Sequence, residues 1–165
     1  MVGSALGPIL QIVRLRDEHV AGLCDLLAAL AAADEARHFQ PHPFDRVHVA
    51  GLADAPGKDL YYVVMLDTQV AGYGLLRGWN EGYEIPSLGI AVHPACRGRK
   101  IGNTLMQFLH AAAGLRGSRR VRLRVVSTNT AAIRLYEQTG YRFDAATDVD
   151  DNGNMLLTAY KELEG

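Results

Sequence analysis

The sequence predicts an α/β fold, a single domain in which one mixed β-sheet is flanked by helices. Three observations lead there. Strand-like and helix-like patterns alternate along the chain, no internal repeat or low-complexity linker divides it, and its 165 residues suffice for one hydrophobic core. Apolar residues make up 48% and charged residues 21%, a globular rather than a disordered balance.

The elements follow in order. Residues 9–15 are apolar and β-branched, a first strand. Asp17 stands at an N-cap position before a stripe of Val20, Leu23, Leu26, Leu27 and Leu30, and the alanines in 28–33 extend that helix by propensity. Pro41 and Pro43 end it, a shorter helix is expected over 45–53, and Pro56-Gly57 closes that one. Residues 60–66 and 69–77 form a hairpin about Asp67-Thr68. A third strand, 85–92, stops at Pro94. Residues 103–115 are helical, with Ile101, Leu105, Phe108, Leu109 and Ala112 on one face. Residues 121–126 alternate apolar residues with arginine, as a half-exposed strand does. Asn129 caps a helix over 130–139 that Gly140 ends, and 141–143 and 155–161 are closing strands around Asn152-Gly153.

Several classes are set aside. A net charge of −1 provides no electrostatic attraction to nucleic acid or to an anionic membrane. No apolar run reaches membrane-spanning length. Two cysteines, Cys24 and Cys96, suggest a reducing compartment, and residues 1–7 do not read as a signal peptide, so a cytoplasmic protein is expected. Residues 148–153 imitate a calcium loop, with oxygen ligands at its positions 1, 3 and 5 and Gly153 at 6. Position 12 is Ala159 rather than glutamate, so an acidic hairpin turn is expected, and no metal.

The most informative stretch runs from Ser87 to Gly102. A strand stops, a turn rich in glycine and positive charge follows, and a helix begins. The first turn of a helix presents free N–H groups and the positive end of its dipole, a natural seat for phosphate. Gly98 and Gly102 let the backbone approach a ligand, while Arg97, Arg99 and Lys100 add charge. A Walker A loop is excluded by the lack of a Gly-Lys-Ser/Thr ending, and the three-glycine turn of a Rossmann motif is missing. A second motif lies about thirty residues on: Asn129-Thr-Ala-Ala-Ile-Arg-Leu-Tyr-Glu-Gln-Thr-Gly-Tyr-Arg-Phe143.

The two stretches together resemble the GNAT superfamily of N-acetyltransferases. The first is similar to its motif A, a strand ending in Val-x-Pro followed by Arg-Gly-x-x-Ile-Gly. The second is similar to its motif B. The resemblance extends over the order of elements from Ile9 to Tyr160, with its specific motifs between Ser87 and Phe143. One position departs: Lys100 stands where the pattern has glycine. A helical backbone is expected there, with lysine adding charge beside a pyrophosphate.

The resemblance implies a fold in which two central parallel strands splay apart at their C-terminal ends. It implies acetyl-CoA as the acyl donor, with its arm along Ile90, Ala91 and Val92. The pyrophosphate would lie on Arg97, Gly98, Arg99, Lys100, Ile101, Gly102 and Asn103, with Asn129 and Ala132 beside the arm. An amine would attack directly within a ternary complex. The Ile90 N–H is the candidate oxyanion donor and Tyr136 the acid for the departing thiolate. Glu84 is the expected base, and His42, Trp79, Glu81 and Tyr83 the expected acceptor contacts. The acidic residues suggest a cationic or amino-sugar-like small-molecule amine. A peptide amine and a non-catalytic acyl-CoA sensor are the competing readings, and a homodimer is an assembly to test.

Overall fold

The chain, a computed structural model, is described over residues 6–164, so most of the stretch judged for a leader lies outside the described residues. Seven strands form one sheet in the order β1-β2-β3-β4-β5-β7-β6. They are β1 (Leu10–Arg14), β2 (Leu60–Leu66), β3 (Gln69–Arg77), β4 (Ser87–Val92), β5 (Arg120–Val126), β6 (Arg142–Val149) and β7 (Met155–Glu162). The helices are α1 (Val20–Ala32), α2 (Arg46–Leu52), α3 (Ile101–Leu115) and α4 (Thr130–Gln138). Every neighbouring pair of strands is antiparallel except β4 with β5.

Side-chain alternation divides the strands between two cores. On one face Leu60, Val64, Leu76, Leu88, Val121, Leu123 and Val125 pack under Leu105, Met106 and Leu109 of α3 and Tyr136 of α4. The helix α3 lies close on the sheet: a Cβ at Gly74 would stand 2.9 Å from a Leu105 methyl. Leu105 and Leu109 are fully buried, and truncating either to alanine would cost about 3–5 kcal/mol. On the other face Leu23, Leu27 and Val49 cover Val63, Tyr73 and Leu75, with Ala91 at the margin. No β5 residue belongs to that second core, so beyond Ala91 this face of β4 and β5 has no helix over it.

Three local expectations change. Asp17 does not cap α1; Asp17–His19 forms a short 3-10 turn, and the His19 ring accepts the Arg16 N–H at 3.0 Å. The strand β4 begins two residues later than expected, after Pro86, which has no N–H to pair. The strand expected over 141–143 continues to Val149, because β7 offers it an antiparallel partner beyond an irregularity. By contrast, Asp45 and Asn129 cap their helices, accepting from the N–H groups of His48 (2.8 Å) and Ala132 (3.3 Å). Among the described residues no helix is long and apolar enough to cross a membrane.

Candidate active site

The parallel pair β4–β5 is joined only at its start. Ser87 lies opposite Arg122, and the Arg122 N–H donates to the Pro86 carbonyl at 3.0 Å. Beyond that point no residue of β4 is in register with β5. Strand parity shows which groups face the gap. Pro86 offers its carbonyl to β5, while the His93 N–H turns the other way to Ala71 (2.8 Å). Alternate residues along a strand point their N–H and C=O to the same side, so Leu88, Ile90 and Val92 present theirs to the opening.

The gap leads at its C-terminal end to the turn before α3. Gly98 has φ +77° and Lys100 φ +62°, both left-handed. This corrects the helical backbone expected for Lys100: the chain arrives extended at Arg97 (φ −72°, ψ 161°) and uses two left-handed residues to enter the helix. A lysine in that region costs about 1–2 kcal/mol that glycine would not. Left-handed residues in such turns gather N–H groups on one rim, a shape suited to anions. Lys100 is also the N-cap, and its side chain makes no capping bond. The N–H groups of Ile101, Gly102 and Asn103 therefore lack a cap and stand at the positive end of a 15-residue helix. At Gly102 a Cβ would meet Val92 at 3.6 Å and Leu135 at 4.0 Å, so α3, α4 and the end of β4 converge there.

The charged side chains of the turn divide. Arg97 forms a two-pronged ion pair with Glu35, at the end of the α1 segment, and leans on the Val92 carbonyl at 3.4 Å. The Arg97 guanidinium holds the Glu35 carboxyl below the usual carboxylate range. Arg99 and Lys100 are exposed and make no ion pair among the described residues.

Tyr136 and Asn129 belong to the segment that follows β5. Asn129 follows the free end of β5, and its side-chain oxygen caps α4 while its amide NH2 has no partner among the described residues. Tyr136 is 8% exposed and packs against Tyr141, ring centroids 5.7 Å apart. Burial pushes its hydroxyl up to about 12, so it keeps its proton throughout the neutral range.

On the uncovered face, the gap opens into a cleft of about 310 Å³. One wall is the connection after α1, with Phe39 and Gln40; the floor is Leu75, Arg77, Ser87 and Gly89; the other wall is Arg124 with Asp150, Asp151 and Asn152 of the β6–β7 turn. Asp150 organises that turn, accepting from the N–H groups of Asn152 (2.9 Å) and Asn154 (2.8 Å) and from the Asn154 side chain (3.0 Å). These bonds hold its carboxyl below the ordinary range. Arg124 is ion-paired with Asp148.

None of the residues expected to contact the acceptor lines this cleft; Trp79 and Tyr83 share one neighbouring hollow with Glu84, Glu81 and Tyr83 share another, and His42 stands apart from both. His42 is buried; its ring donates from Nδ1 to the Pro43 carbonyl (2.8 Å) and accepts from the Tyr73 hydroxyl at Nε2 (2.8 Å). Burial lowers its pKa, which fits this neutral packing role under α2. Trp79 and Glu84 line a different hollow near the end of α3, where the Arg116 guanidinium lies 5.3 Å above the Trp79 ring. Glu84 is exposed at the end where β4 and β5 are still joined, so it does not reach the open part of the gap. Glu81 and Tyr83 line a smaller hollow adjoining the cleft through Arg77 and Ser87. Sequence reading missed the cleft residues because they come from segments scattered along the chain. The one available signal was the arginine alternation in β5, which had suggested only a solvent-facing strand.

Comparison with known proteins agrees with this geometry. A GCN5-related N-acetyltransferase from Kribbella flavida has a similar structure, with TM-score 0.76, 23% identity, and 93% of this chain and 98% of that one covered. An N-acetyltransferase from Staphylococcus aureus Mu50 superposes with TM-score 0.75 at 18% identity, covering 94% and 99%. The PaiA N-acetyltransferase of Thermoplasma acidophilum, solved in complex with coenzyme A, gives TM-score 0.74 at 15% identity, covering 93% and 99%. At these identities the likeness shows the fold. The sequence profile of the acetyltransferase (GNAT) family matches residues 17–141, about three quarters of the chain, and the chain belongs to that family.

Proposed function

We propose that the protein transfers the acetyl group of acetyl-CoA to a primary amine of a small molecule, within a ternary complex. The observation behind this reading is the unpaired stretch of β4 and β5. It connects an uncapped helix N-terminus at one end to a small cleft on the open sheet face.

These residues fit the donor. The N–H rim at 98–103 and the exposed Arg99 and Lys100 suit a pyrophosphate. Arg97 would join them only by leaving Glu35. The N–H groups of Leu88, Ile90 and Val92 and the carbonyls of Leu88 and Ile90 suit an extended arm added as a strand would be. Acetyl-CoA supplies an activated acyl group as a thioester. In this reading the Ile90 N–H would donate to the carbonyl oxygen as charge grows there, an effect typically worth about 3 kcal/mol. Tyr136 holds a proton for the departing sulfur. A thiolate formed in the same buried surroundings is raised by the same loss of water, so a phenol near 12 can serve it. The cleft's own free carboxylate for an incoming ammonium is Asp151, at its rim.

A volume of about 310 Å³ is at the small end of the range for small-molecule sites, roughly 300–1,000 Å³, which favours a compact acceptor over a folded protein. The test is thiol release from acetyl-CoA with a panel of small amines and amine-bearing peptides. Release with small amines is expected. Release with peptides alone would move the acceptor to protein, and binding of acetyl-CoA without release by any amine would overturn the enzymatic reading.

A further inference from the structure

One row across the open face sets two arginines around a serine. Arg77 of β3 lies opposite Ser87 of β4, and Ser87 lies opposite Arg122 of β5. Their flanking residues Leu76, Leu88, Val121 and Leu123 all point into the core under α3, so strand alternation turns Arg77, Ser87 and Arg122 to the same open face. With strands spaced about 4.8 Å apart, the two arginine backbones stand about 10 Å from each other, with the Ser87 side chain between them.

The partners of these groups are unequal. Arg77 donates one Nη–H to the Pro41 carbonyl at 2.5 Å. The Arg122 side chain makes no hydrogen bond or ion pair among the described residues, and its Nε is buried. A guanidinium with a buried, unpartnered donor is uncommon, because such groups ordinarily find an acceptor. The nearby carboxylates do not supply one. Asp148 is held by Arg124, and Asp59 accepts from the N–H groups of Gly78 and Asn80. Glu81 lines the same hollow but is exposed and ion-pairs with neither arginine. Two like charges facing one small hollow, one of them unpartnered, describe a receptor for an anion.

We propose that Arg77, Ser87 and Arg122 bind an anionic group of the acceptor, a carboxylate or phosphate carried on the same molecule as the amine. This rests on the acetyl-transfer reading above and narrows its acceptor class. The row lies at the joined end of β4, three residues from Ile90, or about 10 Å at the rise of a strand. The anion therefore stands several bonds from the reacting nitrogen, as in an ω-amino acid or an aminoalkyl phosphate. An acceptor whose only charge is positive would meet two like charges here and leave Arg122 unanswered.

The test compares ω-amino acids of three to six carbons and the corresponding aminoalkyl phosphates with their uncharged amides and alcohols, as kcat/KM for thiol release. The anionic members should exceed the neutral ones by tenfold or more, with a preferred chain length; the carboxylate and phosphate arms identify the anion. In Arg122→Gln the ratio should fall towards one, and Arg122→Lys, which keeps volume and charge, should restore part of it. Equal rates for charged and neutral acceptors, or a ratio unchanged in Arg122→Gln, would overturn the proposal. A binding arm separates this result from failure of acetyl transfer itself. Millimolar 5-acetamidopentanoate should raise the Tm of the wild type more than its carboxamide does, and Arg122→Gln should lose that difference. If no amine is acetylated but that difference is present, the anion site stands and the transfer reading falls; if it is absent, the anion site falls.

Discussion

The two ends of the gap between β4 and β5 are built by different means. The proposed donor end is mostly backbone: the N–H groups of residues 101–103, the left-handed pair Gly98 and Lys100, and the free edge of β4. All of these lie in one run of seventeen residues, Ser87 to Asn103 with the helix start included. The proposed acceptor end is side chains from separate segments: Gln40 after α1, Arg77 on β3, Ser87 on β4, Arg124 on β5 and Asp151 in the β6–β7 turn. Backbone recognition needs a shape that many side chains can satisfy. Side-chain recognition is specific to each chain.

That contrast can be broken most severely at Tyr136, the proposed acid. Tyr136→Phe should lower kcat by about 100-fold or more while KM for acetyl-CoA stays within about twofold. An unchanged kcat in steady-state assays would remove the acid role and leave the tyrosine as packing.

The next effect is on the donor side and depends on pH. Burial pushes His110 of α3 down to about 4, and its Nε2 lies 2.7 Å from the Tyr141 hydroxyl that packs behind Tyr136. An unfolded histidine titrates near 6.5. Between these values the unfolded chain binds a proton that the folded chain refuses, so stability is intact above about pH 6.5 and is lost as pH falls towards 4. The loss is at most about 1.4 kcal/mol per pH unit. Urea unfolding at pH 7 and pH 4.5 should show the wild type losing about 2 kcal/mol more than His110→Gln. Equal losses would mean that the ring titrates freely.

A smaller effect separates backbone from charge within the donor turn. Lys100→Gly relieves a left-handed lysine and should raise stability by up to about 1 kcal/mol, read as an increase in Tm. Its KM for acetyl-CoA should rise by less than about threefold if the N–H rim does most of the holding. A tenfold rise would show that the lysine charge is the main contributor.

The smallest effect is expected at Glu84. Because it faces a hollow near Arg116 and Arg119, Glu84→Gln should change kcat by less than about twofold. A large loss in kcat would return it to the site and require β4 and β5 to open further than they do here.

How much could be read beforehand follows from the same contrast. The order of elements, the hairpin of β2 and β3 and the cap at Asn129 were legible, because periodicity and capping are local. The extension of β6 to Val149 was not, since it depends on pairing with β7. The acidic turn at 148–153 was legible as a turn, through Asp150 and Gly153, but not as a wall of the cleft.

By itself, the sequence determined a mixed α/β domain with a glycine-containing, basic turn between β4 and α3, because a glycine, a helix start and a strand end are contiguous features. Only the tertiary structure decided that Lys100 is left-handed, that Arg97 is held by Glu35, that His42 is buried and that Glu84 faces away. It also decided that Arg77, Ser87 and Arg122 share one row. The physical reason is distance along the chain. A strand's register with its neighbours determines which side chains meet, and nothing within the strand itself encodes that register.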